Sequence, residues 1–322
     1  MEIKALIADK KFVGTVLSTN IEDYPEGIIM PVDKPYRWTS ADVIRKLKWA
    51  ACRHFGKKNL KVGHAGTLDP LATGVLMVCI GKATRLAEEL QKEGKEYVAG
   101  ISFGATTPSY DLEKPVDHIF PTENVSEDSI RAILPGFLGE QEQVAPLFSA
   151  KSVDGVRAYE LARRQYREKG LAKTDVIEDF DHSVADLLHV QRITISELEL
   201  LSFDRAGTPS NDRAGALLNP GRVHPRFAAA EYGPNSQCLR PVNNDERPNP
   251  RINVADISGL DLAQAEIRIA CSKGTYIRAL ARDLGEALGT GAFLHSLRRT
   301  KSGGFISETA LDISQAMGFL SI

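Results

Sequence analysis

The chain has 322 residues, of which 43% are hydrophobic and 25% are charged, so it can bury a sizeable core and is not disordered throughout. Its 40 Lys and Arg residues against 42 Asp and Glu residues leave a net charge of −2, which excludes a globally basic coat but not a local basic surface. The longest strongly apolar run, residues 75–80, is far shorter than the ~20 residues of a membrane span, and no signal-peptide pattern is present, so we expect a cytoplasmic protein without a membrane partner.

Predicted strands and helices follow one another in an irregular order from residue 27 onward. Apolar runs and alternating patterns predict strands at residues 27–32, 76–80, 97–103, 191–201 and 265–270. Helical spacing and capping residues predict helices after Thr39 or Ser40, over 84–93, after Ser126, over 157–168 and after Thr275. Because a regular β-α-β-α alternation is missing, we predict an α+β fold with a mostly antiparallel central sheet flanked by helices.

Residues 204–251 interrupt this pattern. They are rich in proline, asparagine and arginine and show little periodicity, which predicts an inserted loop or a disordered segment. We therefore expect an N-terminal extension at 1–26, a core domain formed by 27–203 and 252–310, and a C-terminal tail at 311–322.

The cysteines and histidines show no metal-ligand spacing. The four cysteines contain no Cys-x-x-Cys pair, and the seven histidines contain no His-x-x-x-His pair. Disulfide frameworks and structural zinc sites are normally recognised by such spacing. We therefore expect neither a disulfide framework nor a metal site.

Basic side chains are concentrated in two segments despite the near-neutral net charge. Residues 45–61 contain no acid, residues 298–301 add a second cluster, and together they carry Arg45, Lys46, Lys48, Arg53, Lys57, Lys58, Lys61, Arg298, Arg299 and Lys301. Such clusters bind phosphate backbones by displacing counterions. A solvated helix face gives the same pattern, so charge alone leaves both interpretations open.

The segment 61–76 is the richest in residues suited to chemistry. Its glycines permit tight turns, and Pro70 favours an extended backbone for the preceding Asp69. An aspartate in such a loop can project into a cleft, or it can simply close an Asx turn within its own loop. The glycine spacing fits neither a dinucleotide-binding nor a phosphate-binding loop, and no Gly-x-Ser-x-Gly motif supplies a serine nucleophile.

This loop is one of five motifs that occur in a characteristic order along the chain. They are Val32-Asp33-Lys34-Pro35 with Trp38-Thr39-Ser40, the loop Gly63-His64-Ala65-Gly66-Thr67-Leu68-Asp69-Pro70-Leu71-Ala72-Thr73-Gly74, Lys95-Glu96-Tyr97, Ser149-Ala150-Lys151 with Asp154-Gly155 and 157–163, and Cys271-Ser272-Lys273-Gly274-Thr275-Tyr276-Ile277-Arg278. In these motifs the chain resembles the TruB-type tRNA pseudouridine synthases over about residues 27–201 and 252–310. Its 63–74 loop matches the family's signature loop at every position.

The resemblance implies isomerisation of one uridine, at position 55 in the T-arm loop of tRNA, to pseudouridine. The glycosidic bond moves from N1 to C5 of the same uracil, so we expect no cofactor and no metal. Because the uridine lies within a folded loop, it must be flipped out to be reached. Too few residues follow Arg299 for the RNA-binding PUA domain that many members carry, so we expect no C-terminal PUA domain and a monomer that binds the T-arm stem-loop.

The resemblance also implies roles for seven residues. Asp69 is the expected catalyst at the glycosidic bond, and Arg278 is the expected cation beside its carboxylate. Tyr97 is expected to stack on the flipped uracil and to place its hydroxyl for the proton step at C5. Tyr276 and Leu297 are expected to line the uracil pocket. His64 is expected to pack against the T loop. Lys34 is expected to support the signature loop or to contact phosphate.

Two other functions are compatible with the sequence. A non-catalytic protein that binds or folds tRNA could use the same surface, although the presence of Asp69, Tyr97 and Arg278 favours the enzyme. A metal-dependent hydrolase would need a ligand cluster that the sequence lacks. The sequence leaves open whether Asp69 attacks the ribose, attacks the base or acts through a glycal intermediate.

Overall fold

The structure is a computed structural model that describes residues 3–146, 152–153, 156–157, 190–205 and 248–321. Residues 158–168, where a helix is predicted, and 206–247 of the predicted insertion lie outside the described residues. The described chain combines a large sheet with a few helices, which confirms the predicted α+β fold. No helix in it is long and apolar enough to span a membrane.

The chain divides into two compact units. The first comprises residues 1–97, 237–252 and 298–322, and the second comprises residues 98–236 and 253–297. Strands β5 (Lys95–Phe103) and β13 (Ala292–Ser302) contain residues of both units.

The sheet of the first unit is built around β4 (Ala72–Ile80), whose residues are almost all buried. β2 (Ile28–Lys34) and β3 (Val62–Ala65) both pair antiparallel with β4, and β1 (Leu6–Ile7) extends the sheet parallel to β2. The end of β13 is a further neighbour of β4 and pairs with the short β14 (Phe305–Ile306). Strands buried on both faces are uniformly apolar rather than alternating, which is why only part of β4 was predictable.

Helix α1 (Ser40–His54) packs on β3 and β4 through its apolar face. Of the two predicted caps, Thr39 is the N-cap. Its hydroxyl accepts a hydrogen bond from Asp42 N at 3.0 Å, and the Asp42 carboxylate accepts one from Thr39 N at 3.0 Å. This capping box satisfies N–H groups that the first turn leaves unpaired, so the helix begins where the sequence predicts.

Shorter helical segments complete the described part of the first unit, among them 3-10 helices at Lys10–Phe12 and Ile21–Asp23. The predicted helix at 84–93 is wrong over its first half, because Gly81–Leu86 form a 3-10 helix and α2 covers only Ala87–Lys92. The segment expected to be a tail contains α5 (Ile313–Gly318), which packs against α1 and β2. Leu311 is buried and exchanges backbone hydrogen bonds with β2, so this part of the chain belongs to the folded unit.

The second unit is a sheet in the order β13, β5, β12, β11 and β8. β12 (Ala263–Cys271) alternates buried and half-buried residues and pairs antiparallel with β11 (Val190–Asp204), which pairs antiparallel with β8 (Gly139–Val144). The predicted strands at 97–103, 191–201 and 265–270 are confirmed, and β11 is longer than its prediction. Four short strands form two antiparallel pairs: β6 (Ala105–Thr106) with β7 (His118–Ile119), and β9 (Ser152–Val153) with β10 (Val156–Arg157).

The helices of the second unit differ in how they begin. Ser126 caps α3 (Glu127–Ile133), as predicted. The predicted cap of α4 (Ile277–Ala287) is wrong, because Tyr276 is the N-cap residue and offers no side-chain hydrogen bond. The hydroxyl of Thr275 instead donates to the Ser272 carbonyl at 3.0 Å and closes the turn before the helix.

Gly74→Ala should destabilise the first unit. Gly74 has a φ of +101°, and a Cβ there would lie 2.2 Å from the carbonyl oxygen of Arg299 on the neighbouring strand. Backbone strain and a clash with backbone atoms both oppose a side chain, so we expect urea unfolding to show a loss of about 2–4 kcal/mol.

Gly63→Ala is the matched control for this substitution. A Cβ at Gly63 would meet open space, and its φ lies outside the left-handed region, so its free energy of unfolding should change by less than about 1 kcal/mol. Equal losses at the two positions would contradict the packing argument.

Candidate active site

The signature loop is shorter than predicted, because residues 63–65 already form β3. The loop proper spans 66–71 and joins β3 to β4. Asp69 is half-buried in this loop, and its carbonyl oxygen accepts a hydrogen bond from Ala72 N at 3.1 Å. The turn into β4 therefore starts at the aspartate itself.

Ser40, the first residue of α1, anchors the residue before the aspartate. Its Oγ accepts a hydrogen bond from Leu68 N at 3.0 Å and donates to the Leu68 carbonyl at 3.2 Å. Leu68 is itself buried. Because one hydroxyl pairs with both backbone polar groups of Leu68, the start of the helix fixes the backbone next to Asp69.

Lys34, at the end of β2, anchors the residue after the aspartate. Its side chain is 0% exposed, and Nζ donates to the carbonyl oxygens of Trp38 at 2.6 Å, Pro35 at 3.0 Å and Pro70 at 3.3 Å. Burial lowers the pKa of Lys34 to about 7, and the negative charge of Asp69 opposes that change. Of the two roles expected of Lys34, this geometry favours support of the loop over contact with phosphate.

Arg299 holds the loop from β13, a role that the sequence analysis missed. Its side chain is 1% exposed, and it donates from Nε to the Val75 carbonyl at 2.7 Å, from Nη2 to Gly66 at 3.2 Å and from Nη1 to Thr67 at 3.4 Å. The guanidinium therefore joins the start of the loop to strand β4. Only the position of Arg299 in a cluster of basic residues was visible in the sequence, and that cluster suggested phosphate binding.

The basic cluster at 298–301 is mostly not available to RNA. Arg298 forms a two-pronged ion pair with Asp33, with nitrogen–oxygen distances of 3.0 Å and 2.7 Å. Arg299 is buried, and only Lys301 is exposed. Two of the three charges of this cluster are therefore paired inside the first unit, which leaves Lys301 as its exposed cation.

His64 and Tyr97 are the other predicted site residues of the first unit. His64 lies on β3, half-buried, and its Nδ1 has no hydrogen-bond partner among the described residues. Burial and the charge of Arg299 lower the pKa of His64, which favours the neutral form of the imidazole. Tyr97 is half-buried on β5.

Arg278 lies in the second unit, at the start of α4. It is buried rather than exposed on the helix surface. Its Nη1 donates to the Ser109 carbonyl at 3.1 Å, and its Nε lies 3.8 Å from Oδ2 of Asp111, which is also buried. A buried guanidinium needs such partners to offset its desolvation.

Tyr276 and Leu297 are also in the second unit and are both half-buried. The backbone of Tyr276 is held by the buried Gln143, which accepts from Tyr276 N at 2.8 Å and donates to its carbonyl at 3.1 Å. Gln143 was not predicted, because a single glutamine on a strand gives no signal in the sequence. Leu297 is the β13 residue directly before Arg298.

The predicted site residues thus fall into two groups. The first unit contains four of them, and also Arg299, which the prediction missed: Lys34, His64, Asp69 and Tyr97. The second unit holds Arg278, Tyr276 and Leu297, so the expected pairing of Asp69 with Arg278 stays a prediction. Within the described ranges, no three His, Cys, Asp or Glu side chains are grouped so that they could hold a metal ion.

Family models match two parts of the chain. Residues 53–196 match the N-terminal domain of TruB family pseudouridylate synthases, and residues 278–318 match the tRNA pseudouridylate synthase B C-terminal domain. A solved structure titled as a Cbf5-Nop10-Gar1 complex has a TM-score of 0.51 at 24% identity, over 91% of this chain and 54% of that chain. At that identity the likeness concerns the fold alone.

Curated relatives are similar over most of the chain. The tRNA pseudouridine synthase B of Phocaeicola vulgatus is 39% identical over 90% of this chain and 92% of its own length, and that of Bacteroides thetaiotaomicron is 40% identical over 90% and 91%. The protein of the same name from Thermus thermophilus is 38% identical over 88% of this chain and 75% of its own length. Together with the signature loop and its supports, these similarities confirm the resemblance: the chain belongs to the TruB family of pseudouridine synthases, a family of isomerases.

Proposed function

We propose that the protein converts the uridine at position 55 of the tRNA T-arm loop to pseudouridine, with Asp69 as the catalytic carboxylate. Membership of the TruB family supports the reaction, and the names of the relatives support tRNA as the substrate. The observation that carries the role of Asp69 is the set of buried side chains that hold its loop: Ser40, Lys34 and Arg299. A carboxylate on such a fixed backbone is prepositioned for a reacting atom.

The reaction breaks the N1–C1′ bond and forms a C5–C1′ bond on the same uracil. C5 loses its proton and N1 gains one, so no redox partner is needed. Asp69 is proposed to act as a carboxylate. The amine of Lys34, when it is protonated, attracts that carboxylate electrostatically, and Arg278 is proposed to do so from the second unit, as the resemblance implies.

Base flipping is part of the same proposal. A uridine inside the folded T loop must leave its stack before a carboxylate can reach the glycosidic bond. Tyr97 is proposed to stack on the extruded uracil, with Tyr276 and Leu297 as the remaining pocket walls. The neutral imidazole of His64 suits a contact with T-loop bases, because it loses less hydration free energy there than a charged ring.

Asp69→Asn should abolish pseudouridine formation while leaving folding and tRNA affinity nearly intact. The substitution keeps the size of the side chain but removes the charge that the reaction requires. Activity is measured on unmodified tRNA transcript by carbodiimide-dependent reverse-transcription stops. Activity within tenfold of the parent, about 1.4 kcal/mol of barrier, would rule out an essential catalytic group.

The parent protein decides between this function and the non-catalytic alternative in the same assay. Pseudouridine at position 55 is the expected product. A parent that binds the transcript tightly but forms no pseudouridine would instead be a tRNA-binding or tRNA-folding protein.

Lys34→Met should remove a pH dependence of stability. Burial lowers the pKa of Lys34 in the folded protein to about 7, whereas its ordinary value is 10.5. Between these values the unfolded chain binds more protons, so the contribution of Lys34 to stability rises with pH across this window and is constant below it. We expect the free energy of unfolding of the parent, relative to the variant, to increase from pH 7 to pH 9 in urea titrations.

The exposed Lys58→Met variant is the control for this experiment. Its difference from the parent should be nearly flat over the same pH range. A flat difference for Lys34→Met as well would mean that the buried amine keeps an ordinary pKa.

Binding to tRNA should weaken steeply with salt despite the net charge of −2. The side chains of Lys58 and Lys61, after α1, are exposed, and each phosphate contact contributes a log–log slope of up to about −0.9, or less on single strands. Replacing both lysines with alanine should flatten the slope by about one to two units if both contact phosphate. Lys92→Ala is the control, because that lysine pairs with Glu89 at 3.0 Å on α2. An unchanged slope in the double variant would show that the two lysines form only a solvated face.

A further inference from the structure

Helix α1 forms one wall of a surface groove that the proposed reaction does not use. The groove lies in the first unit and has a volume of about 530 Å³. Its lining combines two indole rings with cationic side chains, a methionine and one acid: Trp38, Trp49, Arg45, Lys46, Met317 and Asp42. Aromatic and cationic groups in one concave surface suit a ligand that is both flat and anionic.

Trp49 is the most distinctive residue of this groove. Its ring is 57% exposed, although tryptophan is otherwise among the most costly side chains to leave in water. The guanidinium of Arg53, one turn further along α1, lies 4.8 Å from the ring centroid. This cation–π contact restrains the ring, so it presents one fixed face rather than a mobile side chain.

The stripe of α1 that carries Trp49 is basic overall. Asp42, Arg45, Lys46, Trp49 and Arg53 follow helical spacing and extend over roughly 16 Å along the helix axis, at about 1.5 Å per residue.

Asp42 does not repel an anion strongly, because its carboxylate is already paired with an arginine and with hydrogen-bond donors. It closes the capping box, pairs with Arg45 at 2.7 Å and accepts a hydrogen bond from Asn249 at 3.1 Å. Although burial opposes it, these hydrogen bonds hold the pKa of Asp42 at about 2. The surface charge of the stripe is therefore positive.

We propose that this groove binds an unpaired stretch of the RNA substrate, with one base stacked on Trp49 and the adjacent phosphates on Lys46 and Arg53. This inference rests on the proposed function for its choice of tRNA as the RNA. A nucleic acid fits better than an acidic peptide, because every base offers an aromatic face to an indole while the backbone supplies a regular row of negative charge.

The groove is connected to the catalytic loop through a single side chain. Trp38 lines the groove, and its carbonyl accepts a hydrogen bond from Lys34, which also binds the carbonyl of Pro70 next to Asp69. A strand of RNA seated along α1 therefore lies on the same rigid part of the first unit that positions the aspartate.

Affinity for unmodified tRNA transcript, measured by fluorescence anisotropy at fixed salt, tests this proposal. Trp49→Ala should weaken binding about 5- to 100-fold, the range for loss of one stacked base. Trp49→Phe keeps an aromatic face and should stay within about threefold of the parent. Ile306→Ala removes another exposed apolar side chain of the first unit and should bind as the parent does.

A second readout follows Trp49 itself. The chain has only two tryptophans, so Trp38→Phe leaves Trp49 as the single indole emitter. Its fluorescence should be quenched as transcript is added, since stacking on a base places the indole against another aromatic ring. Quenching that saturates with the anisotropy signal supports the proposal, and unchanged emission overturns it.

Other results would also overturn the proposal. Affinity of Trp49→Ala within twofold of the parent, or equal losses in Trp49→Ala and Trp49→Phe, would show that no base stacks there. A change in sedimentation mass of the free protein on Trp49→Ala, with RNA affinity unchanged, would assign the groove to a second copy of the chain.

Failure of the proposed function remains distinguishable from failure of this inference. A parent that forms pseudouridine while Trp49→Ala binds normally refutes only the groove. A parent that forms none, yet depends on Trp49 for RNA affinity, refutes only the reaction.

Discussion

The buried guanidinium of Arg299 is the interaction on which the candidate site depends. A group that is always charged can be buried only if its N–H groups are satisfied, and the carbonyl oxygens of Gly66, Thr67 and Val75 satisfy them. Any other path of the loop would leave this charge unpaired in the interior, at a cost of several kcal/mol. The conformation around Asp69 is therefore coupled to the burial of one arginine from a distant part of the chain.

Lys34 and Ser40 also restrain the backbone around Asp69, each through hydrogen bonds to a neighbouring residue. They bind backbone groups of the residues on either side of Asp69, whereas Arg299 binds the start of the loop and Val75 in β4. All three side chains are buried. Several polar groups of the loop backbone are thus paired with protein side chains, which favours a single conformation of the segment around Asp69.

The sequence predicted most accurately those features that depend on neighbouring residues. The cap at Thr39 and the strands at 97–103 and 265–270 could be recognised because their signals are local. The role of Arg299 could not, because a hydrogen bond that joins residues more than 220 positions apart leaves no local pattern. Strand β3 was hidden for the same reason, since only its pairing with β4 makes these glycine-rich residues a strand.

The charged residues also show that the sequence reveals where basic residues are concentrated but not which partners they have in the folded protein. The net charge of −2 and the two basic segments suggested that both segments face solvent. In the structure most basic side chains of the 45–61 segment are exposed. Arg298 instead pairs with Asp33, and Arg299 is buried against backbone carbonyl groups of the first unit. Arginines in a strand next to a buried loop stabilise the loop, whereas arginines on the outer face of a helix remain available for phosphates.

The consecutive position of Arg298 and Arg299 in β13 has a consequence for folding fidelity. Successive side chains in a strand point to opposite faces, so Arg298 reaches Asp33 while Arg299 reaches the signature loop. A slip of one residue would exchange the two faces, breaking both sets of contacts and leaving two guanidinium groups without partners. A shift in the register of β13 would therefore cost both sets of contacts, and the register that keeps both is the one that holds the signature loop.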